Sequence, residues 1–210
     1  MVSTFKQLFK AEDENDFITI VSGLPRSGTS MMMRMLEAGG MEIVTDNLRT
    51  ADEDNPRGYY EDERVKKMKE DSSWLDGCRG KVVKVISMLL YDLPAKQKYK
   101  VIFMRREMEE ILSSQRVMLQ WRGQKEDGVS DEEMAEKFEK HLRHVEEWLG
   151  GRDYMNVLYI KYNDVINNTR TYVNIINNFL GKRLNVEEMM KVVEKSLYRQ
   201  RKAENAGRSA

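Results

Sequence analysis

Residues 23–30 read Gly-Leu-Pro-Arg-Ser-Gly-Thr-Ser. The two glycines have the spacing of the nucleotide phosphate loop G-x-x-x-x-G-K-[ST], but Thr29 stands where the lysine belongs. The apolar run at 17–22 and the helical pattern of apolar residues over 30–36 predict strand, loop and helix in that order. Such a turn aims backbone N–H groups and a helix dipole at one point, which makes an anion site with or without a lysine. Arg26 adds a cation after the turn residue Pro25, Ser27, Thr29 and Ser30 add hydroxyl donors, and Gly28 lets the backbone come close. The absent lysine would have reached the β- and γ-phosphates of a triphosphate, so its loss argues against γ-phosphoryl transfer and for a single 5′-phosphate.

Other chemistry is thinly represented. The only histidines, His141 and His144, lie three apart on a charged segment and are expected to face solvent. No ligand spacing for zinc accompanies them, and no metal is expected. The single cysteine, Cys78, excludes an internal disulfide and fits a reducing compartment, the cytoplasm by default. In that compartment the glycosylation pattern Asn167-Asn168-Thr169 carries no weight. Thirty-five basic against 35 acidic residues lack the footprint of a nucleic-acid binder. No apolar stretch approaches the roughly 18 residues of a membrane span, and the first residues carry no secretory pattern. Met31, Met32, Met33 and Met35 crowd one helix and read as adaptable core filler.

Residues 24–30 resemble the 5′-phosphosulfate loop of the sulfotransferase family, its small bacterial members above all. Asn55-Pro56-Arg57-Gly58-Tyr59-Tyr60-Glu61, Lys84 and residues 106–114 extend the resemblance. It implies a transferase whose donor is 3′-phosphoadenosine-5′-phosphosulfate (PAPS) and whose acceptor is a hydroxyl or amine of a small molecule. Residues Pro25 to Ser30 would hold the 5′-phosphate without a metal. The family grips the 3′-phosphate with an arginine ending a strand and a serine eight residues later, a spacing met by Arg105 with Ser113 and by Arg106 with Ser114. The second pair is preferred, because Ile111 and Gln115 then fall where small bacterial members carry an aliphatic residue and a glutamine. Alternation along a strand lets only one arginine enter the pocket.

The same resemblance places Lys84 against the transferring group. The histidine that many cytosolic members carry two residues later is Ile86 here, so Glu61, half-buried beside Tyr59 and Tyr60, is the candidate base. Arg26 completes the proposed catalytic set. The basic segment 199–203 resembles the family's last donor-binding loop only faintly, with Ala203 in place of a glycine. Acceptor choice is expected from the loop 45–58 and the helices near Trp121 and Trp148. Two competing readings are a divergent nucleotide kinase, with Mg²⁺ on Ser30, and a nucleotide-binding module that has lost catalysis, which the residue at 86 makes credible.

These side chains need a scaffold. Strands are expected at 17–22, 41–44, 81–88, 100–104 and 156–160, and helices at 30–36, 61–74, 107–121, 131–149, 171–180 and 186–197. Ser130 with Glu133 signals the start of the longest helix. Strands alternating with helices predict an α/β chain, a three-layer αβα P-loop fold with a mostly parallel central sheet, as one domain over 1–210.

Overall fold

Apolar residues on both faces of every inner strand require cover on both sides, and the chain supplies it. A computed structural model describes residues 16–48, 58–121 and 129–193. Five strands, β1 (Ile18–Gly23), β2 (Ile43–Val44), β3 (Val82–Lys84), β4 (Tyr99–Arg105) and β5 (Met155–Lys161), form one sheet in the order β2-β3-β1-β4-β5. Each neighbouring pair is parallel. Strand periodicity sends Ile18, Ile20, Val83, Val101 and Phe103 to one face, against Val145 and Leu149 of α3 (Asp131–Gly150) and against Leu75 and Leu90. Val21, Val82, Ile102 and Met104 face the other way, onto α1 (Thr29–Ala38), α4 (Tyr162–Asn167), α5 (Thr169–Phe179) and α6 (Val186–Lys191). The methionines of α1 lie in this second core, with Met32, Met33 and Met35 fully buried. The expected three layers are present.

Several segments depart from expectation, α4 among them, which is a helix the sequence pattern did not announce. Residues 61–74 make no α-helix; they form 3₁₀ turns at Glu63–Lys67 and Ser73–Gly77. Asp62 accepts a bond from the Arg64 N–H and Asp71 from the Ser73 N–H, local side-chain bonds that compete with a continuing helix. Val65, Met68 and Leu75 still reach the core from these turns. The strand expected over 81–88 pairs only at Val82–Lys84, and after Val85 N–H bonds Val21 O the chain turns into a 3₁₀ segment, Ser87–Asp92. By contrast α2 (Met108–Trp121) and α3 begin as predicted, with Ser130 Oγ accepting from the Glu133 N–H. The last helix, expected over 186–197, stops at Lys191. Residues 1–15, 49–57, 122–128 and 194–210, which include Asn55, Pro56, Arg57 and the segment 199–203, lie outside the described residues.

Strand order decides where a site can form. From β1 the chain moves to β2 and β3 on one side and then to β4 and β5 on the other. The connections therefore diverge at the carboxyl end of β1 and leave a crevice there, flanked by the ends of β3 and β4. Lys84 ends β3, Gly23 ends β1 and Arg105 ends β4.

If the methionines of α1 are packing residues, Met33→Ala should cost about 2–5 kcal/mol and Met33→Leu less than about 1.5 kcal/mol in urea unfolding at pH 7. Equal midpoints for Met33→Ala and the parent would contradict that role.

Candidate anion-binding site

The loop between β1 and α1 is shaped by residues that no other side chain could replace without movement. Gly23 has φ 146° and Gly28 φ 97°. A Cβ on Gly23 would meet Met104 O and Ser27 Oγ, and one on Gly28 would strike the Tyr162 ring. Arg26 also adopts a left-handed φ of 72°, a strained conformation for a side-chain-bearing residue. Ser27 Oγ donates to Leu24 O at 2.7 Å, so this hydroxyl braces the turn from within. Pro25 is half-buried in the same turn, while Thr29 is buried at the first position of α1. No side chain caps that helix and no acidic residue lies in its first turn, which keeps the positive end of its dipole toward the crevice.

On the β3 side, Lys84 is directed to the α1 face of the sheet, as alternation from the inward Val83 requires. Its Nζ donates to Tyr59 O at 2.7 Å and Ser30 Oγ at 3.3 Å, and lies 3.5 Å from Glu61 Oε1. With 6% of its side chain exposed, Lys84 is a buried, compensated cation rather than a surface charge on a strand. Glu61, 28% exposed, is set by its backbone: Thr45 Oγ1 and the Asp46 N–H both donate to its carbonyl oxygen. Its neighbour Tyr60, at φ 55°, donates to Glu37 Oε2 at 3.0 Å. Burial, and then that bond, push the Tyr60 phenol up to about 12.

On the β4 side the two arginines part company. Arg105 stacks over Tyr159 and pairs with Glu146 of α3. Arg106 turns to the loop, donating from Nη1 to Arg26 O at 3.2 Å and from Nε to Glu110 Oε2 at 2.8 Å, with its face 4.6 Å from the centre of the Tyr162 ring. Ser114 accepts from Arg26 Nε at 2.9 Å. Arg26, Arg106 and Ser114 are thus brought together, whereas Arg105 lies toward α3. Beside them a cavity of about 240 Å³ has Leu24, Met104 and Ile111 in its apolar wall and both Arg105 and Arg106, with Arg143 of α3, in its polar one.

The structure places three side chains where the sequence reading did not. His141 does not face solvent: it is half-buried, and its Nε2 lies 2.9 Å from Ser87 Oγ. The spacing to the buried Val145 and Leu149 would have put it on the apolar side of α3. Burial, and then the charge of His144, hold its pKa below 6.5. Glu110 and Asn163, joined at 3.1 Å, support Arg106, and only the four-residue step from Arg106 to Glu110 hinted at this. Among the described residues no cluster of three His, Cys, Asp or Glu side chains suits a metal, and no helix is long and apolar enough to cross a membrane.

Comparison with known proteins gives a consistent picture. The family model of the sulfotransferase domain matches residues 16–209. A 3-beta-hydroxysteroid sulfotransferase of Cavia porcellus is 41% identical over 58 residues, which is 28% of this chain and 20% of that enzyme. The stretch shared with this curated relative is thus a small part of its length. The sulfotransferase domain from the Synechococcus PCC 7002 olefin synthase is similar over 84% of this chain and 77% of that one, with a TM-score of 0.51 and 16% identity. The sulfotransferase domain from the curacin biosynthetic pathway is similar over 85% and 78%, with a TM-score of 0.50 and 16% identity. At such identity the likeness is one of fold.

Gly28→Ala should destabilise the chain by at least about 2 kcal/mol, from the left-handed φ and the collision with Tyr162, as read from the urea midpoint. A second expectation concerns pH. His141 binds its proton less readily folded than unfolded, so its contribution is fully present above 6.5 and is lost as pH falls below that value toward the lowered folded pKa. The loss of stability between pH 7.5 and 5.5 should be smaller in His141→Gln than in the parent; identical losses would refute this.

Proposed function

Because the chain belongs to the sulfotransferase family, by a match over residues 16–209, we propose that it transfers a sulfuryl group from PAPS to a hydroxyl or amine of a small-molecule acceptor. The observation that carries this reading is the division of charge around the β1 loop. An arginine and serine set, Arg26, Arg106 and Ser114, lies on the β4 side, and a lysine, serine and glutamate set, Lys84, Ser30 and Glu61, lies on the β3 side. A donor with two separated phosphates needs two anion sites, and a reacting end needs a cation and a base.

The residues present fit such a donor. Side-chain-free glycines leave the loop backbone open to close approach, and the uncapped start of α1 favours an anion there. Residues 25–30 hold the 5′-phosphate, and Arg106 with Ser114 holds the 3′-phosphate by the planar fork and hydroxyl that suit phosphate. When bound, PAPS supplies the activated sulfuryl group. Lys84 Nζ, fixed by Tyr59 O beside Ser30 Oγ, sets an ammonium where negative charge on a departing phosphate oxygen would be offset. Glu61 Oε1 takes the proton of the acceptor nucleophile. The cavity between the loop and α3, with Ser27 and Arg106 in its wall, lies on the donor's phosphate side, so the acceptor approaches from the side of Lys84 and Glu61. On this reading residues 1–210 act as one cytoplasmic, metal-independent, nucleotide-binding unit of the bacterial type, with no part in nucleic-acid binding.

Thermal-shift titration tests the proposal. Adenosine 3′,5′-bisphosphate without Mg²⁺ should stabilise the chain by about 2.7 kcal/mol at one hundred times its Kd, and Arg106→Ala should abolish the effect. Stabilisation only by Mg²⁺ with ATP would favour a kinase instead. Lys84→Met should lower turnover about 10²–10³-fold, and Glu61→Gln at least about 10²-fold, with bisphosphate binding retained in both. Parental turnover in Glu61→Gln would remove it as the base, and a parent that never desulfates PAPS with any acceptor would be a binding module.

A further inference from the structure

Arg106 does not simply end a strand; it is held on three of its aspects. Its Nε edge donates to Glu110 Oε2 at 2.8 Å, its Nη1 donates to Arg26 O at 3.2 Å, and one face lies on Tyr162 at 4.6 Å. A guanidinium is a rigid plane with five donors in a fixed fork, so fixing an edge, a tip and a face leaves it a single orientation. Glu110 is the deepest of these contacts. It is 1% exposed against 9% for Arg106, and its second oxygen, Oε1, accepts from Asn163 Nδ2 at 3.1 Å. The carboxylate also occupies the first turn of α2, where a helix dipole favours negative charge. A carboxylate buried to this degree costs desolvation free energy and persists only with such compensation.

We infer that Glu110, itself fixed by Asn163, is a positioning residue that holds Arg106 by its Nε edge and so aims the opposite side of the guanidinium at the donor's 3′-phosphate. This rests on the reading of the chain as a PAPS-dependent enzyme. The consequence is selectivity: Glu110 sets how strongly a 3′-phosphorylated nucleotide is preferred over one that lacks that group, without touching the nucleotide. A carboxylate kept only to neutralise a buried arginine would instead influence all nucleotides alike, through the stability of the fold.

Isothermal titration of the full chain with adenosine 3′,5′-bisphosphate and with adenosine 5′-monophosphate separates the two roles. The parent should prefer the bisphosphate. In Glu110→Gln, which preserves size and one acceptor oxygen, bisphosphate affinity should fall about tenfold, the loss of one charge-assisted bond's worth of alignment, while monophosphate affinity stays within about twofold. Asn163→Ala, which leaves the Arg106 to Glu110 pair in place, should show a smaller loss of about threefold with the same selectivity; it carries the test if Glu110→Gln fails to fold. Equal weakening of both ligands in either variant, or bisphosphate binding that is unchanged or tighter, overturns the inference while leaving the donor assignment standing. A parent that binds both nucleotides equally overturns the donor assignment and this inference with it.

Discussion

Everything at the site depends on how closely the backbone of residues 23–28 may be approached. Two glycines with positive φ let that turn press against Met104 on one strand and Tyr162 at the start of a helix, and neither position has room for a methyl group. An anion held by main-chain N–H groups is held by atoms that cannot rotate away, so the accuracy of the site is that of the turn itself. Ser27 gives up its hydroxyl to Leu24 to keep the turn closed. Even the left-handed Arg26 serves this end, since that conformation accompanies a side chain reaching Ser114 and a carbonyl that receives Arg106.

Around this turn, charge is arranged by the sheet and not by the loop alone. The ends of β3 and β4 lie on opposite sides of β1, so the lysine from one and the arginine from the other cannot meet, and each has its own acidic companion, Glu61 and Glu110. A buried cation without such a companion would be costly to fold. The crevice can therefore be polar at both ends while Leu24, Met104 and Ile111 keep part of its floor apolar.

Much of this was legible in the sequence because it is local. The glycine spacing, the strand before it and the helix after it fall within about twenty residues of one another, and the alternation of apolar strands with helices states the layered fold. That Arg105 and Arg106 would part company was legible for the same reason, since strand alternation separates adjacent side chains. What escaped depends on contacts distant in the chain or on competing local bonds. His141 meets a serine 54 positions away, and Asn163 meets Glu110 across 53, distances over which a linear pattern is silent. The failed helix at 61–74 had apolar residues at helical spacing, but Asp62 and Asp71 bond their own downstream backbone and break the run into turns. The strand at 81–88 is shorter than its apolar run because the chain leaves the sheet after Val85 and turns into the 3₁₀ segment at Ser87–Asp92, although β1 continues to Gly23.

Tyr162 has a place in this arrangement although it belongs to neither the Lys84 set nor the Arg26 set. One ring lies against Gly28 and under Arg106, so a single stiff aromatic plane touches both the start of α1 and the guanidinium that follows β4. A spacer of that kind neither stretches nor compresses as a chain of rotatable bonds would. The distance between the loop and the guanidinium stacked on that ring is accordingly held by an incompressible part rather than by a sum of soft torsions, and a change at position 162 would be felt at both.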